Sequence, residues 1–339
     1  MPRIVLPRSA KQAFVSLFSV VPALLAADAA RRVFRARRGD RAVWVLAAGV
    51  HALPGAYFAN GFLRPTARTS FDLVGLRAAT AVGVAAILRF GRRHPVAAAL
   101  AIGEIFAWRA YTRWYSWFGR TPSSALSVGA ALPDDLPFFE HGRGPIIAAE
   151  LRGRPTVLLF FRGNWCPLCM AQIGEIAERW REIEPLGAQV VLVSPQDESH
   201  TRKLAARHGV AFRYLRDEKL EAARRLGIVN RDGTPAGMIG YDSDTVLPTL
   251  VVTDAEGRIV YADQTDNYRV RPTPDTVLAA LRAAGIAPAT AEAGAPRWSS
   301  QTSSGVGSPA LSHTTRPSKL SLRACSAERR GSVKWAQPS

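Results

Sequence analysis

The chain has 339 residues, long enough for two or more domains, and its 44 Lys+Arg against 27 Asp+Glu give a formal net charge of +17. Such a charge suits a nucleic-acid binder, but the arginines gather between apolar stretches rather than on one polar face, which argues against nucleic acid and for loops flanking membrane helices. Three cysteines are too few for a disulfide-built scaffold. Without a second cysteine pair or ligand spacing among the six histidines, neither a structural metal nor another cofactor is expected.

Residues 1–120 read as a helical membrane region of about four transmembrane segments. Residues 13–30 are uncharged apart from Asp28, and 42–63 carry no charge at all. Residues 71–88 are apolar except for Asp72 and Arg77, and 95–118 are apolar or aromatic except for Glu104, Arg109 and Arg113. Runs near 20 apolar residues fit membrane spans. A buried helical domain is the alternative, and the short Arg-rich loops between the segments favour spans. The basic start, apolar run and small residues at 26–30 also resemble a signal peptide. Later spans would hold the protein in the membrane in either case.

Six arginines lie in the first loop (31–41) and three in the third (89–93), so the positive-inside bias puts both in the cytoplasm. With four spans, everything after residue 120 is then extracytoplasmic, at the cell membrane. Arg77 and Glu104 fall at similar depths of an antiparallel hairpin. An unpaired charge there costs about 3 kcal/mol or more, so the two are expected to pair. Trp108, Tyr111, Trp114, Tyr115 and Trp117 mark the exit from the bilayer.

Residues 121–137 read as a linker, and 138–285 as an α/β domain. Strands are expected near 156–162, 189–194, 212–215, 249–254 and 258–263, and helices near 167–185, 198–208, 218–226 and 274–284. Ile173, Ile176, Trp180 and Ile183 recur at helical spacing and give the first of these helices a buried face. Asp254-Ala255-Glu256-Gly257 reads as a hairpin turn, so the sheet is expected to be mixed, parallel with an antiparallel edge. Residues 286–339, which include Cys325, are rich in Ala, Ser, Thr, Pro and Arg and are expected to be disordered.

The most informative motif is Cys166-Pro167-Leu168-Cys169, set between the apolar run 156–161 and an amphipathic helix. Two cysteines one turn apart can close a disulfide. A thiol at a helix N-terminus faces N–H donors and the positive end of the dipole, which favours thiolate. Strand, Cys-x-x-Cys, helix is the layout of a dithiol redox site.

Three features resemble the thioredoxin fold: the segment from Phe161-Arg162-Gly163-Asn164-Trp165 through Cys169, the Leu247-Pro248-Thr249 step before an apolar strand, and the strand–turn–strand–helix ending at 250–284. The phrase Phe-Arg-Gly-x-Trp-Cys-Pro-x-Cys narrows the likeness to the peroxiredoxin-like branch, the alkyl hydroperoxide reductase/thiol-specific antioxidant group. The resemblance covers residues 130–284. It implies an α/β thioredoxin-like fold, a cis bond at Pro248 facing the cysteines, and substrate-positioning roles for Pro248, Trp165 and Arg162. Three departures stand out. Typical members carry Thr or Ser three residues before the first cysteine, Pro seven before, and an Arg at the start of a later strand that holds the peroxide; here these are Gly163, Leu159 and Pro248, so the peroxide-activating set is incomplete while the dithiol set is complete.

Three functions follow. In the first, a membrane-anchored thiol–disulfide oxidoreductase serving redox homeostasis, exposed Cys166 attacks a protein or small-molecule disulfide and Cys169 releases the product. In the second, a thiol peroxidase, Cys166 reduces a hydroperoxide and Cys169 resolves the sulfenic acid. In the third, a redox-inert membrane module, both thiols are buried and unreactive.

Overall fold

The computed structural model describes residues 9–63 and 66–286. The expected disordered tail, with Cys325, lies outside them from residue 287 onward. The chain opens with four helices: α1 (Ala10–Arg35), α2 (Arg41–Leu63), α3 (Val74–Phe90) and α4 (Pro95–Ala110). Ser9 starts α1 by accepting the amide of Gln12 on its hydroxyl at 3.1 Å, an N-cap that satisfies one orphan donor. Pro95 occupies the first turn of α4, where its missing N–H costs nothing. The helix then runs on through a π-helical turn, Tyr111–Tyr115.

Helices α1 and α2, at 26 and 23 residues, are long and apolar enough to cross a membrane. Helices α3 and α4 have 17 and 16 residues, short of the roughly 20 that a span needs. Small and branched residues, Ala47, Val50, Val84, Ile87 and Ala101, fill the space between the helices. The expected Arg77–Glu104 pair does not form. Arg77 sits in the first turn of α3, so it reaches Asp72 in the preceding loop, 3.7 Å away. Glu104 meets His51 of α2 at 3.0 Å instead, and both are buried. A depth argument along one hairpin takes no account of a partner on a third helix.

The α/β part follows with β1 (Pro137–Glu140), β2 (Gly144–Ile147), β3 (Thr156–Phe160), α5 (Pro167–Glu178), α6 (Trp180–Ile183), β4 (Gln189–Ser194), α7 (Glu198–Ala205), β5 (Arg213–Arg216) and α8 (Glu221–Arg225). A short pair, β6 (Val229–Asn230) and β7 (Thr245–Val246), precedes β8 (Thr249–Thr253), β9 (Ile259–Asp263) and α9 (Pro274–Ala283). One sheet runs β2-β1-β5-β4-β3-β8-β9. Strands β3, β4 and β5 are parallel, and β8 and β9 add antiparallel at one side, so the sheet is mixed as expected.

Alternate residues of β3 face opposite cores, as the two-residue period requires. Val157 and Leu159 pack with Ile173, Ile176, Trp180, Val277 and Leu281 of α5, α6 and α9. Leu158 and Phe160 pack with Leu215, Ala222 and Leu226 on the other face. The expected helix over 167–185 breaks at Arg179, and a 3₁₀ turn, Glu184–Leu186, follows α6. Pro185 lies in that turn, where it cannot donate to an α-helical bond. The β1–β2 hairpin was not expected; its Pro and Gly content hides the strand pattern. Nor do residues 121–137 run free: Leu126, Leu132 and Leu136 are buried in the second core.

The helices and the α/β part share one core. Phe18 of α1, Trp108 of α4 and Tyr111 belong to the same buried cluster as Cys166, Ile173 and Val277. Arg269, fully buried, ties the loop before α3 to the α/β part. Its guanidinium donates to Thr69 Oγ1 at 3.1 Å, Ser70 O at 2.8 Å, Phe71 O at 2.6 Å and Ser116 Oγ at 2.8 Å. Arg68 adds an ion pair to Glu175 of α5 at 2.7 Å. Removing the Arg269 head orphans several buried acceptors, each worth about 1–3 kcal/mol. We expect Arg269→Leu to cost about 3 kcal/mol or more, read as a fall in Tm of the purified protein.

Candidate active site

Cys166 sits at the N-cap of α5, and Pro167 takes the first helical position. The amides of Cys169 and Met170 donate to the Cys166 carbonyl at 3.1 and 3.0 Å, closing the first turn. That turn brings the two sulfurs together, with the Cys169 thiol hydrogen-bonded to Cys166. Both cysteines are free thiols. Contrary to expectation, Cys166 is not exposed: 1% of its surface reaches solvent, and none of Cys169's. The physical reason is the helical region, which packs over the dithiol.

The resemblance implies a substrate-positioning role for Arg162. It is 3% exposed. Its guanidinium carbon lies 4.5 Å from the Trp165 ring centroid and 5.6 Å from that of Tyr268, and it donates to the Gly233 carbonyl. The Thr245 hydroxyl holds the Arg162 carbonyl at 2.9 Å. Arg271 escaped notice in the sequence. Its Nε donates to Tyr268 O at 2.8 Å, and its Nη2 stands 3.9 Å from Cys169 Sγ. No local signal marks it, because it lies 102 residues from Cys169 in the chain.

Burial alone pushes a thiol pKa up. At Cys166 the hydrogen bond from Cys169 and the charges of Arg162 and Arg271 outweigh burial and bring the thiol down to about 6. At Cys169 burial, reinforced by the hydrogen bond and charge of Cys166, holds the proton well above the ordinary thiol value. The pair is thus one nucleophilic thiolate beside one protonated thiol.

Gly163 explains one departure from the peroxiredoxin pattern. Its φ is +140°, a backbone conformation that suits glycine. A Cβ there would lie 2.9 Å from Trp165 Cδ1 and Nε1 and 2.9 Å from Tyr241 Cε1. The indole that shields Arg162 therefore occupies the space a Thr or Ser would need. Pro248 is buried, and the described residues contain no cis peptide bond, so the cis geometry implied by the resemblance is absent. Its carbonyl accepts from Arg120 Nη1 at 3.3 Å, and it is not among the residues lining the cavity beside Cys166.

That cavity has a volume of about 330 Å³. Cys166, Arg162 and Trp165 line it on one side, and Val15 of α1 with Tyr57 and Phe58 of α2 on the other. Gly61 lets α2 approach closely: a Cβ there would sit 3.2 Å from Pro167 Cβ. On the far side of Arg162 lies a second, more polar cavity of about 460 Å³, lined by Gln196, Asp197, Glu218, Asp242 and Asp244.

A mixed sheet with Cys-x-x-Cys where β3 gives way to α5 defines the α/β part as thioredoxin-like. Residues 129–262 match the model of the AhpC/TSA family, which supports the redoxin group for that part. Peroxiredoxin Q, chloroplastic, of Oryza sativa subsp. japonica is 24% identical over 115 residues, 34% of this chain and 50% of that one. The chain thus spans about half the length of the curated relatives it matches. Among solved structures, Mycobacterium tuberculosis AhpC is 22% identical and covers 47% of this chain and 93% of its own, with a TM-score of 0.39. A Xanthomonas campestris bacterioferritin comigratory protein, solved in a study of its alkyl peroxide reduction activity, is 22% identical over 44% of this chain and 90% of its own, with a TM-score of 0.37.

The ultraviolet absorbance of the Cys166 thiolate should titrate near pH 6 in the reduced protein. Arg162→Met should move that midpoint up by about one unit, and Cys166→Ser should abolish it. The folded state favours the anion. Reduced protein therefore gains stability from Cys166 as pH rises from about 6 towards 9 and loses it as pH falls back through about 6.

Proposed function

We propose that the chain is a dithiol peroxidase held at a membrane. One observation carries this reading: a thiolate-favouring sulfur, 1% exposed, forms part of the wall of a chamber of about 330 Å³. A disulfide on a folded protein does not reach such a sulfur, whereas a small hydroperoxide does. The Cys166 thiolate attacks the distal peroxide oxygen, the O–O bond breaks, and the alcohol or water leaves with a proton, giving Cys166 sulfenic acid. The Cys169 sulfur then displaces hydroxide from that sulfenic acid. The S–S bond forms, and hydroxide leaves as water with the Cys169 proton. Arg162 and Arg271 favour the anionic sulfur and the developing oxyanion. The family match over 129–262 and the relatives named peroxiredoxin Q support the same chemistry.

Thiol–disulfide exchange with small disulfides is the second reading. It uses the same two sulfurs, and the absence of a hydroxyl at Gly163 favours it. The redox-inert reading predicts the burial that is found, but two flanking guanidiniums and a lowered thiol pKa have no purpose in an inert core. Membrane attachment rests on α1 and α2 and on outward-facing apolar side chains such as Leu17, Val20, Leu24 and Val45. The arginine-rich loop between α1 and α2 favours an extracytoplasmic redox domain, which a reporter fused after residue 285 would test; cytosolic signal would overturn that orientation.

Stopped-flow mixing of reduced protein with hydrogen peroxide separates the first two readings. We expect thiol loss at least a hundredfold faster than for free cysteine, abolished in Cys166→Ser. In Cys169→Ser the first step should survive and stop at a sulfenic acid that dimedone traps. A rate equal to that of a free thiol would leave only exchange.

A further inference from the structure

The chamber also bears on where electrons enter. Both sulfurs are buried, so an external redox protein cannot dock its own sulfur on Cys166 while the helices are in place. The electron partner must fit the chamber. We propose that this chamber is a binding site for a lipid-soluble quinone or quinol, which exchanges two electrons with the Cys166–Cys169 pair. The inference rests on the dithiol reading above and adds its redox partner.

Four observations converge on that class. First, α1 and α2 supply much of the chamber wall, and these are the two helices long and apolar enough to cross a membrane. Phe62 and Met238 line the chamber yet are 55% and 38% exposed, so large apolar side chains stand at its mouth beside the exposed Ser19, Asn60 and Thr66. A ligand arriving from a lipid phase meets no charged group among these residues. Second, the walls are aromatic. Tyr57, Tyr111, Tyr115, Trp165 and Tyr268 all line the space, which favours a flat ring over a flexible acyl chain.

Third, the polar groups are few and suited to carbonyl or phenolic oxygens. The Tyr111 hydroxyl joins those of Tyr57, at 3.3 Å, and Tyr268, so a chain of hydroxyls spans α2, the π-helical turn and the loop before α9. Arg162 Nε is buried and has no hydrogen-bond partner among the described residues. An apolar pocket with a small number of placed donors is the usual form of a cofactor or small-molecule site, and a hydrocarbon chain needs no such donors. Fourth, a lowered Cys166 pKa stabilises the reduced pair. That makes the disulfide a better electron acceptor, as reduction by a quinol requires.

The step balances within the site. The quinol gives two electrons to the S–S bond, which breaks. One of its two protons goes to the Cys169 sulfur and the other to solvent, leaving Cys166 as thiolate and the ligand as quinone. Run in reverse, a quinone oxidises the dithiol.

The test uses the full chain in lipid nanodiscs with a short-chain naphthoquinone and its quinol as probes. Protein oxidised to the disulfide with diamide is mixed anaerobically with excess quinol, and reduced protein with the quinone. We expect one quinone formed per disulfide lost or one quinol formed per dithiol lost, and saturable quenching of tryptophan fluorescence by the quinone. Gly55 lines the chamber, and a Cβ there meets nothing within 4 Å. Gly55→Phe should therefore fill the space and weaken quinone binding at least tenfold. Absence of both quenching and exchange in the wild-type protein would overturn the proposal, as would quenching that a fatty acid abolishes without any electron transfer. Because diamide prepares the disulfide, failure with hydrogen peroxide would sink the peroxidase reading alone.

Discussion

A sulfur anion in a space almost closed to water is expensive unless fixed charges face it. Around Cys166 those charges come from opposite ends of the α/β sequence: Arg162 follows β3 directly, and Arg271 precedes α9. Neither guanidinium is free to swing away. Arg162 lies over the rings of Trp165 and Tyr268, a cation–π arrangement that strengthens as water is excluded. Arg271 is anchored on the Tyr268 carbonyl. Tyr268 thus touches both positive groups, and its hydroxyl reaches back to Tyr111 at the end of the helical region.

This arrangement accounts for residues that look anomalous one at a time. Trp165 can cover Arg162 only if position 163 lacks a side chain, and Gly163 supplies that with a φ that other residues avoid. A hydroxyl-bearing residue at 163 and an indole at 165 are mutually exclusive in this geometry. The site has therefore exchanged a local hydrogen-bond donor for a stacked guanidinium. The stacked charge acts over a longer range, because Coulomb attraction in a dry site falls slowly with distance.

The dithiol, its helix and its strand were legible because each is written in consecutive residues: the apolar run of β3, the Cys-Pro-Leu-Cys step, and the spacing of Ile173, Ile176 and Trp180. The mixed character of the sheet followed from turn and crossover patterns. What was illegible depends on distant pairing. Arg271 reaches Cys169 only after β8, β9 and the loop beyond them are in place. Glu104 finds His51 rather than Arg77 because three helices, not two, meet there. The burial of Cys166 could not be read from its own neighbourhood, which is that of an exposed helix N-terminus, since the covering residues lie at positions 15–115.

The helical region is therefore part of the site's construction. Phe18, Trp108 and Tyr111 are buried in one continuous core with Cys166 and the residues of α5, and Arg269 cements the loop before α3 to the α/β part with three hydrogen bonds and reaches Ser116, past the π-helical turn, with a fourth. If these helices were only a tether, the dithiol would face water. Arg162 would then lose the Tyr115 side of its surroundings, and its charge would be screened by solvent. Chemistry at Cys166 and the packing of α1 and α2 are consequently coupled. A change that loosens the helices alters the dielectric around the thiolate, and a change in the charge of the pair alters how favourably the helices close over it.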